Sequence, residues 1–182
     1  MIYYSKSIIE KHCGMRMFFQ SIKDKFSGVS KDECVKFQGI SLGESIGTFE
    51  AQLQARGWVK DPDIPKAMKS AIKLYNGTFN GKKVDLIIHY NIVFRNIQFV
   101  GVSYERTSKD QATKQNQENV DKVIETYGIQ PQEQPIGYSF EMKHGRIACK
   151  VVYLDDYDDD GQYRATILYA NKPNNVRFVE RG

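Results

Sequence analysis

The chain has 182 residues, 41% of them hydrophobic, and a net charge of +4. That length fits one domain or two small fused halves, and the apolar share is enough to build a core, which excludes a disordered chain. So mild a charge balance lacks the concentrated basic stripe of a nucleic-acid-binding protein, and no apolar run reaches the roughly 18 residues of a spanning helix.

Residues 5–26 are expected to form an amphipathic helix. Ile8, Ile9, Met15, Phe18, Phe19, Ile22 and Phe26 fall near helical spacing, with Lys11, Arg16, Lys23 and Lys25 between them. Gly14 weakens its middle, and Met15 and Met17 are alternative starts. Lys6, Glu10, Lys11 and Arg16 interrupt every apolar stretch, so no secretory segment is expected and the chain reads as cytoplasmic. Phe18, Ile22 and Phe26, at i, i+4 and i+8 with lysines beside them, suit a helix that docks on protein or rests on an anionic membrane. One short helix binds membranes only marginally, so docking on its own domain or on a second copy is preferred. Cys13, Cys34 and Cys149 are odd in number and show no CxxC spacing, which reads as reduced thiols. The expected organisation is an N-terminal segment over 1–34, a body over 35–175 and a tail over 176–182.

The body opens with a strand-like run over 35–40. A helix is predicted over 44–57, with Ile46, Phe49 and Leu53 on one face and Gly57 as its stop. Three strands follow over 72–79, 82–90 and 93–105. Asn80-Gly81 between the first two is a type I′ hairpin signal. A second helix is predicted over 111–127, with Val120, Val123, Ile124 and Tyr127 on its apolar face and Gly128 as its stop. Three more strands come after it, over 138–142, 146–154 and 162–170. The fold class is therefore α+β, read as a tandem αβββ repeat over 35–105 and 110–170, with antiparallel sheet under helices. Eleven tyrosines and ten phenylalanines supply much of the core. Whether the two halves share one sheet is left open.

Phe37-Gln38-Gly39-Ile40-Ser41-Leu42, Phe49, Leu53 and Gly57, Asn76-Gly77-Thr78-Phe79-Asn80-Gly81 and Tyr127-Gly128 together carry a resemblance. The chain resembles an uncharacterised group of small proteins common in Bacteroidetes-type gut bacteria, over roughly residues 36–170. The resemblance implies an architecture similar to the beta-lactamase-inhibitor-protein type, a helix layer on antiparallel sheet. It implies no catalytic residues. Thr126 stands where the group often has a lysine, and the basic amphipathic segment stands where many relatives carry an export signal.

Three constellations bear on chemistry. Asp156, Asp158 and Asp160 before Gly161 make the first half of a calcium loop, which needs several hard oxygens at short spacing. The twelfth position is Ile167 instead of a bidentate glutamate, so the preferred reading is a solvated acidic turn and no cofactor is expected. Cys149 with His89 or His144 would be a nucleophile–base dyad, although a buried strand cysteine is the more ordinary reading. Gly39 to Gly43 ahead of a helix lacks a phosphate-loop pattern, and Ser41 or Ser45 there reads as an N-cap. Tyr157 and Tyr163, beside the acidic turn, are expected to be exposed and are candidate partner contacts with Phe18, Ile22 and Phe26. The function expected is a non-enzymatic protein-binding module or self-associating protein. An enzyme of unrecognised, hydrolytic type and a calcium-stabilised structural protein are the alternatives.

Overall fold

The structure, a computed structural model, describes residues 30, 33–62, 71–93, 95–154 and 163–171. The predicted helix over 5–26, with Phe18, Ile22 and Phe26, lies outside the described residues. So do the acidic turn, with Asp156, Tyr157, Asp158 and Asp160, and the tail.

A small hairpin comes first, β1 (Lys36–Phe37) and β2 (Ile40–Ser41). Its turn residues Gln38 and Gly39 have φ of 47° and 78°. Helix α1 (Ile46–Ala55) starts where the Ser45 hydroxyl accepts from the Thr48 N–H, and it buries Ile46, Phe49 and Leu53. It ends as Gly57 turns to φ 86°. Short β3 (Val59–Lys60) leads to β4 (Ile72–Phe79) and β5 (Lys82–Tyr90), both spanning the predicted residues. Between β4 and β5, Asn80 and Gly81 take φ of 50° and 76°, the left-handed pair a type I′ turn requires. Strand β6 (Ile97–Tyr104) closes the first half.

Helix α2 (Lys109–Tyr127) follows, capped by Ser108 and stopped by Gly128 at φ 65°. Then come β7 (Gln132–Gln134), β8 (Gly137–Met142), β9 (Gly145–Tyr153) and β10 (Tyr163–Asn171). The fold is mixed helix and antiparallel sheet, as expected. The two halves share one sheet of eight strands in the order β3-β4-β5-β6-β10-β9-β8-β7. Each half contributes four strands to it, because β3 and β7, two and three residues long, extend its edges. The halves join where β10 pairs β6, from Thr166 opposite Ser103 to Ala170 opposite Phe99.

One face of this sheet and the inner faces of both helices make the core. Phe37 sits at its centre, fully buried, with ring centroids 5.6 Å from Phe79, 5.7 Å from Trp58 and 5.4 Å from Tyr169. Trp58 is held in place by its ring N–H donating to Gln38 Oε1 at 2.9 Å. Under the Trp58 ring lies Gly77, where a Cβ would come within 2.4 Å of a ring carbon. The chain entering β1 is tied to the end of β10, since the Val35 N–H donates to Asn171 Oδ1 at 3.1 Å.

Half-buried Glu50 on α1 accepts from the Tyr75 hydroxyl at 2.6 Å and from Lys60 Nζ at 3.0 Å. Burial alone would raise its pKa. The bonds from Tyr75 and Lys60, with the charges of Lys60 and Lys73, outweigh that and hold it below its ordinary 4.5. A depressed carboxyl pKa stabilises the fold above the unfolded-state pKa, and the contribution fades as pH falls through the folded one. The stability difference between the parent and Glu50→Gln should thus be greatest above pH 4.5 and shrink on acidification. Urea denaturation across that range checks it, and a difference independent of pH would refute it.

Candidate functional site: the open face of the sheet

Successive side chains in a strand point to opposite faces, so the register assigns every strand residue to a face. The buried cluster of the core includes Tyr75, Leu86, Val102 and Ile167 together with Phe49, Leu53, Val120 and Val123 of the helices. It includes no residue of the other face. Among the described residues, no helix or strand packs on that second face.

Two cross-strand rows on this open face are mostly apolar. One runs Leu74, Ile87, Gly101, Leu168 and Ala148; the next runs Ile72, His89, Phe99 and Ala170. Ile72, Leu74, Ile87, Phe99 and Leu168 are half-buried, and the small residues Gly101, Ala148 and Ala170 are buried. Ile87 lies over Gly101, where a Cβ would meet its Cγ2 at 2.8 Å. The His89 ring stacks flat on Phe99, centroids 5.1 Å apart and planes at 4°. At the same end of the sheet the loop after β5 exposes Ile92 (56%) and Val93 (69%), so apolar surface extends beyond the strands.

The other half of the face is polar and carries more positive than negative charge. Its rows hold Asn76, Asp85, Ser103, Thr166 and Lys150, then Thr78 and Lys83, with Arg164 on β10. The row that starts at Ile72 also ends in charge, with Arg146 opposite Ala170 and Glu141 opposite Arg146. Two buried side-chain nitrogens, His89 Nδ1 and Arg164 Nε, have no partner among the described residues. The sheet edges are poor templates for an added strand, because β3 and β7 are very short and Pro135 follows β7.

Cys149 is a buried strand cysteine, the preferred reading, and the alternative dyad with His89 does not form. Cys149 is on the core face, fully buried, and burial pushes its thiol up to about 12. His89 is on the opposite face, so the sheet itself stands between them. His144, in the β8–β9 turn, places its Nε2 3.8 Å from the Glu33 carboxylate. The Cys149 thiol should therefore resist iodoacetamide at pH 8 until the protein is unfolded. Mass spectrometry of alkylated peptides reads this directly, and labelling of Cys149 in the native state would contradict its burial.

Tyr163 is half-buried instead of exposed. Its ring lies 5.2 Å from that of Tyr153, and its backbone bridges to Thr107. Ser45 is the N-cap, while the Ser41 hydroxyl accepts from the Gly43 N–H, so both serines have local structural partners. Among the described residues no group of three or more His, Cys, Asp or Glu is placed to hold a metal ion, and no helix is long and apolar enough to cross a membrane.

In comparison with known proteins, no family model, no curated protein and no solved structure matches this chain.

Sequence reasoning missed a chain of polar groups beneath α2, exposed at Lys82 and buried at Gln115, Asn119 and Tyr104. Lys82 donates to Gln115 Oε1, the Gln115 amide donates to Asn119 Oδ1 at 3.1 Å, and the Tyr104 hydroxyl donates to the same oxygen at 2.8 Å. The signal was present in the spacing. Ala112, Gln115, Asn116, Asn119, Val120 and Val123 form one continuous helical stripe, and all six are buried. The predicted apolar face began only at Val120 because the amides before it read as a solvated surface.

Proposed function

We propose that the protein is a non-enzymatic protein-binding module whose open sheet face is its contact surface. The observation that carries this reading is the apolar patch around Leu74, Ile87, Phe99 and Leu168, which no described element covers. Apolar surface of this kind on a sheet face marks an interaction site more often than a solvated one. The partner that fits is a protein surface with an apolar centre, bordered by carboxylates where Lys83, Lys150 and Arg164 lie. The enzyme alternative has less support, since Cys149 is enclosed in the core and unreactive in its protonation.

The strand order also supports reading the two halves as pseudo-repeats. Each is a helix followed by a four-stranded meander, and they meet through β6 and β10. A helix layer on one side of an antiparallel sheet is the arrangement that the resemblance to the beta-lactamase-inhibitor-protein type implies. In this reading, pairing the halves into one wide sheet creates a face larger than either alone offers.

The test is affinity capture from the native host's lysate with four tagged chains: the parent, Leu74→Glu with Val93→Glu, Lys122→Glu on the far side, and a chain lacking residues 1–26. A stoichiometric protein lost only with the Leu74/Val93 pair supports the sheet face. Loss with the shortened chain instead assigns contact to Phe18, Ile22 and Phe26. A partner retained by all four, or none captured by the parent, would sink the proposal.

A further inference from the structure

A cleft of about 500 Å³ lies between the first turns of α2 and the adjoining ends of β5 and β6, away from the apolar half of the sheet face. Its volume is in the range of small-molecule sites. Its charged lining is four cations, Lys82, Lys83, Arg106 and Lys114, against two carboxylates, Glu105 and Glu118. The balance is a net charge of about +2. Tyr104, Ala112 and Ala165 form a buried, mostly apolar floor.

Lys82 is fixed in place. It donates to Gln115 Oε1 and, at 3.0 Å, to Glu118 Oε2. Gln115 is only 8% exposed and is itself held by Asn119. The half-exposed ammonium is therefore held by a buried amide and a carboxylate, which lowers the entropy cost of using it to bind. Thr107 and Gln111, bonded to each other, line the same cleft with neutral polar groups.

The geometry points to this cleft as a binding site for a small phosphorylated molecule, with the phosphate among Lys82, Arg106 and Lys114 and the body of the ligand on the Tyr104–Ala165 floor. The charge balance favours phosphate over a single carboxylate. A phosphate monoester carries about −1.5 to −2 near neutral pH, close to the surplus positive charge of the lining. An apolar floor adds selectivity for an organic phosphate over the bare ion.

Calorimetric titration of the full chain at constant ionic strength, with inorganic phosphate and with phenyl phosphate, tests this. Both should bind saturably at one site, phenyl phosphate more tightly. Arg106→Glu with Lys114→Glu turns the lining net negative and should weaken phenyl phosphate by about tenfold or more. Should that pair fail to fold by circular dichroism, Arg106→Gln with Lys114→Gln removes the charge without reversing it and should still weaken binding. Lys122→Glu, on α2 but outside the cleft, should change nothing. Absence of saturable binding overturns the site, as does equal affinity for the two phosphates or indifference to the Arg106 and Lys114 changes. None of these outcomes bears on protein capture by the sheet face, whose variants lie elsewhere.

Discussion

Replacing Trp58 with alanine is expected to remove about 3–5 kcal/mol of folding stability, the range for deleting a large buried aromatic. Trp58 is 3% exposed and joins three parts of the molecule. Its ring meets Phe37 of the β1–β2 hairpin, its N–H holds the Gln38 turn, and its face covers Gly77 of β4. The Gly77 contact makes a sharper test than the single loss. A methyl at residue 77 has no room, since its carbon would sit 2.4–2.9 Å from three ring carbons. Gly77→Ala should cost about 1–3 kcal/mol as overpacking in the parent. In a Trp58→Ala background the space is empty, so the same methyl should cost nothing or stabilise slightly by lowering chain entropy. Urea denaturation of the four proteins completes the cycle. Additivity within about 0.5 kcal/mol would show that the ring and the glycine do not depend on each other.

The same group of residues shows where sequence reading reaches and where it stops. The β4–β5 hairpin was legible because its information is local: Asn80-Gly81 tolerates two left-handed residues, and β-prone residues flank it. The α1 boundaries were legible to within two residues, since Ser45 and Gly57 signal the ends chemically. The β1–β2 hairpin was read as one strand. Gln38 has no intrinsic turn preference, and its φ of 47° is supported by the indole of Trp58, twenty residues away. Strands β3 and β7 are too short to show a period of two and exist because a neighbour pairs with them.

The open face was harder still to read. In β5, Leu86 and Ile88 face the core while Ile87 and His89 face outward, so the end of the strand looks apolar on both sides and alternation vanishes. A strand buried on both faces would look the same in sequence. Only the long-range pairing of β6 with β10 decides which side the helices cover and which remains open. The basic cleft was invisible for a related reason. Lys82 and Lys83 are separated from Arg106 and Lys114 by the whole of β6, and α2 brings them together.

The polar chain beneath α2 should behave differently from the aromatic core when cut. The direction of its bonds follows from one fact, that an ammonium only donates. Lys82 therefore requires an oxygen on Gln115 to face it, which leaves the Gln115 amide nitrogen to donate to Asn119. Asn119 must then present its oxygen to Gln115 and Tyr104, and its own Nδ2 is left without a partner among the described residues. Asn119 is fully buried, so Asn119→Ala removes the acceptor of two enclosed donors. At about 1–3 kcal/mol for each stranded polar group, the expected loss is about 2–6 kcal/mol. Tyr104→Phe alone removes one donor and leaves Gln115 bonded, for about 0.5–1.5 kcal/mol. The double variant should cost clearly less than the two singles added, because without its hydroxyl residue 104 has nothing left to strand. Such a shortfall separates a hydrogen-bonding role from simple packing: if Asn119 only filled space, the two losses would add.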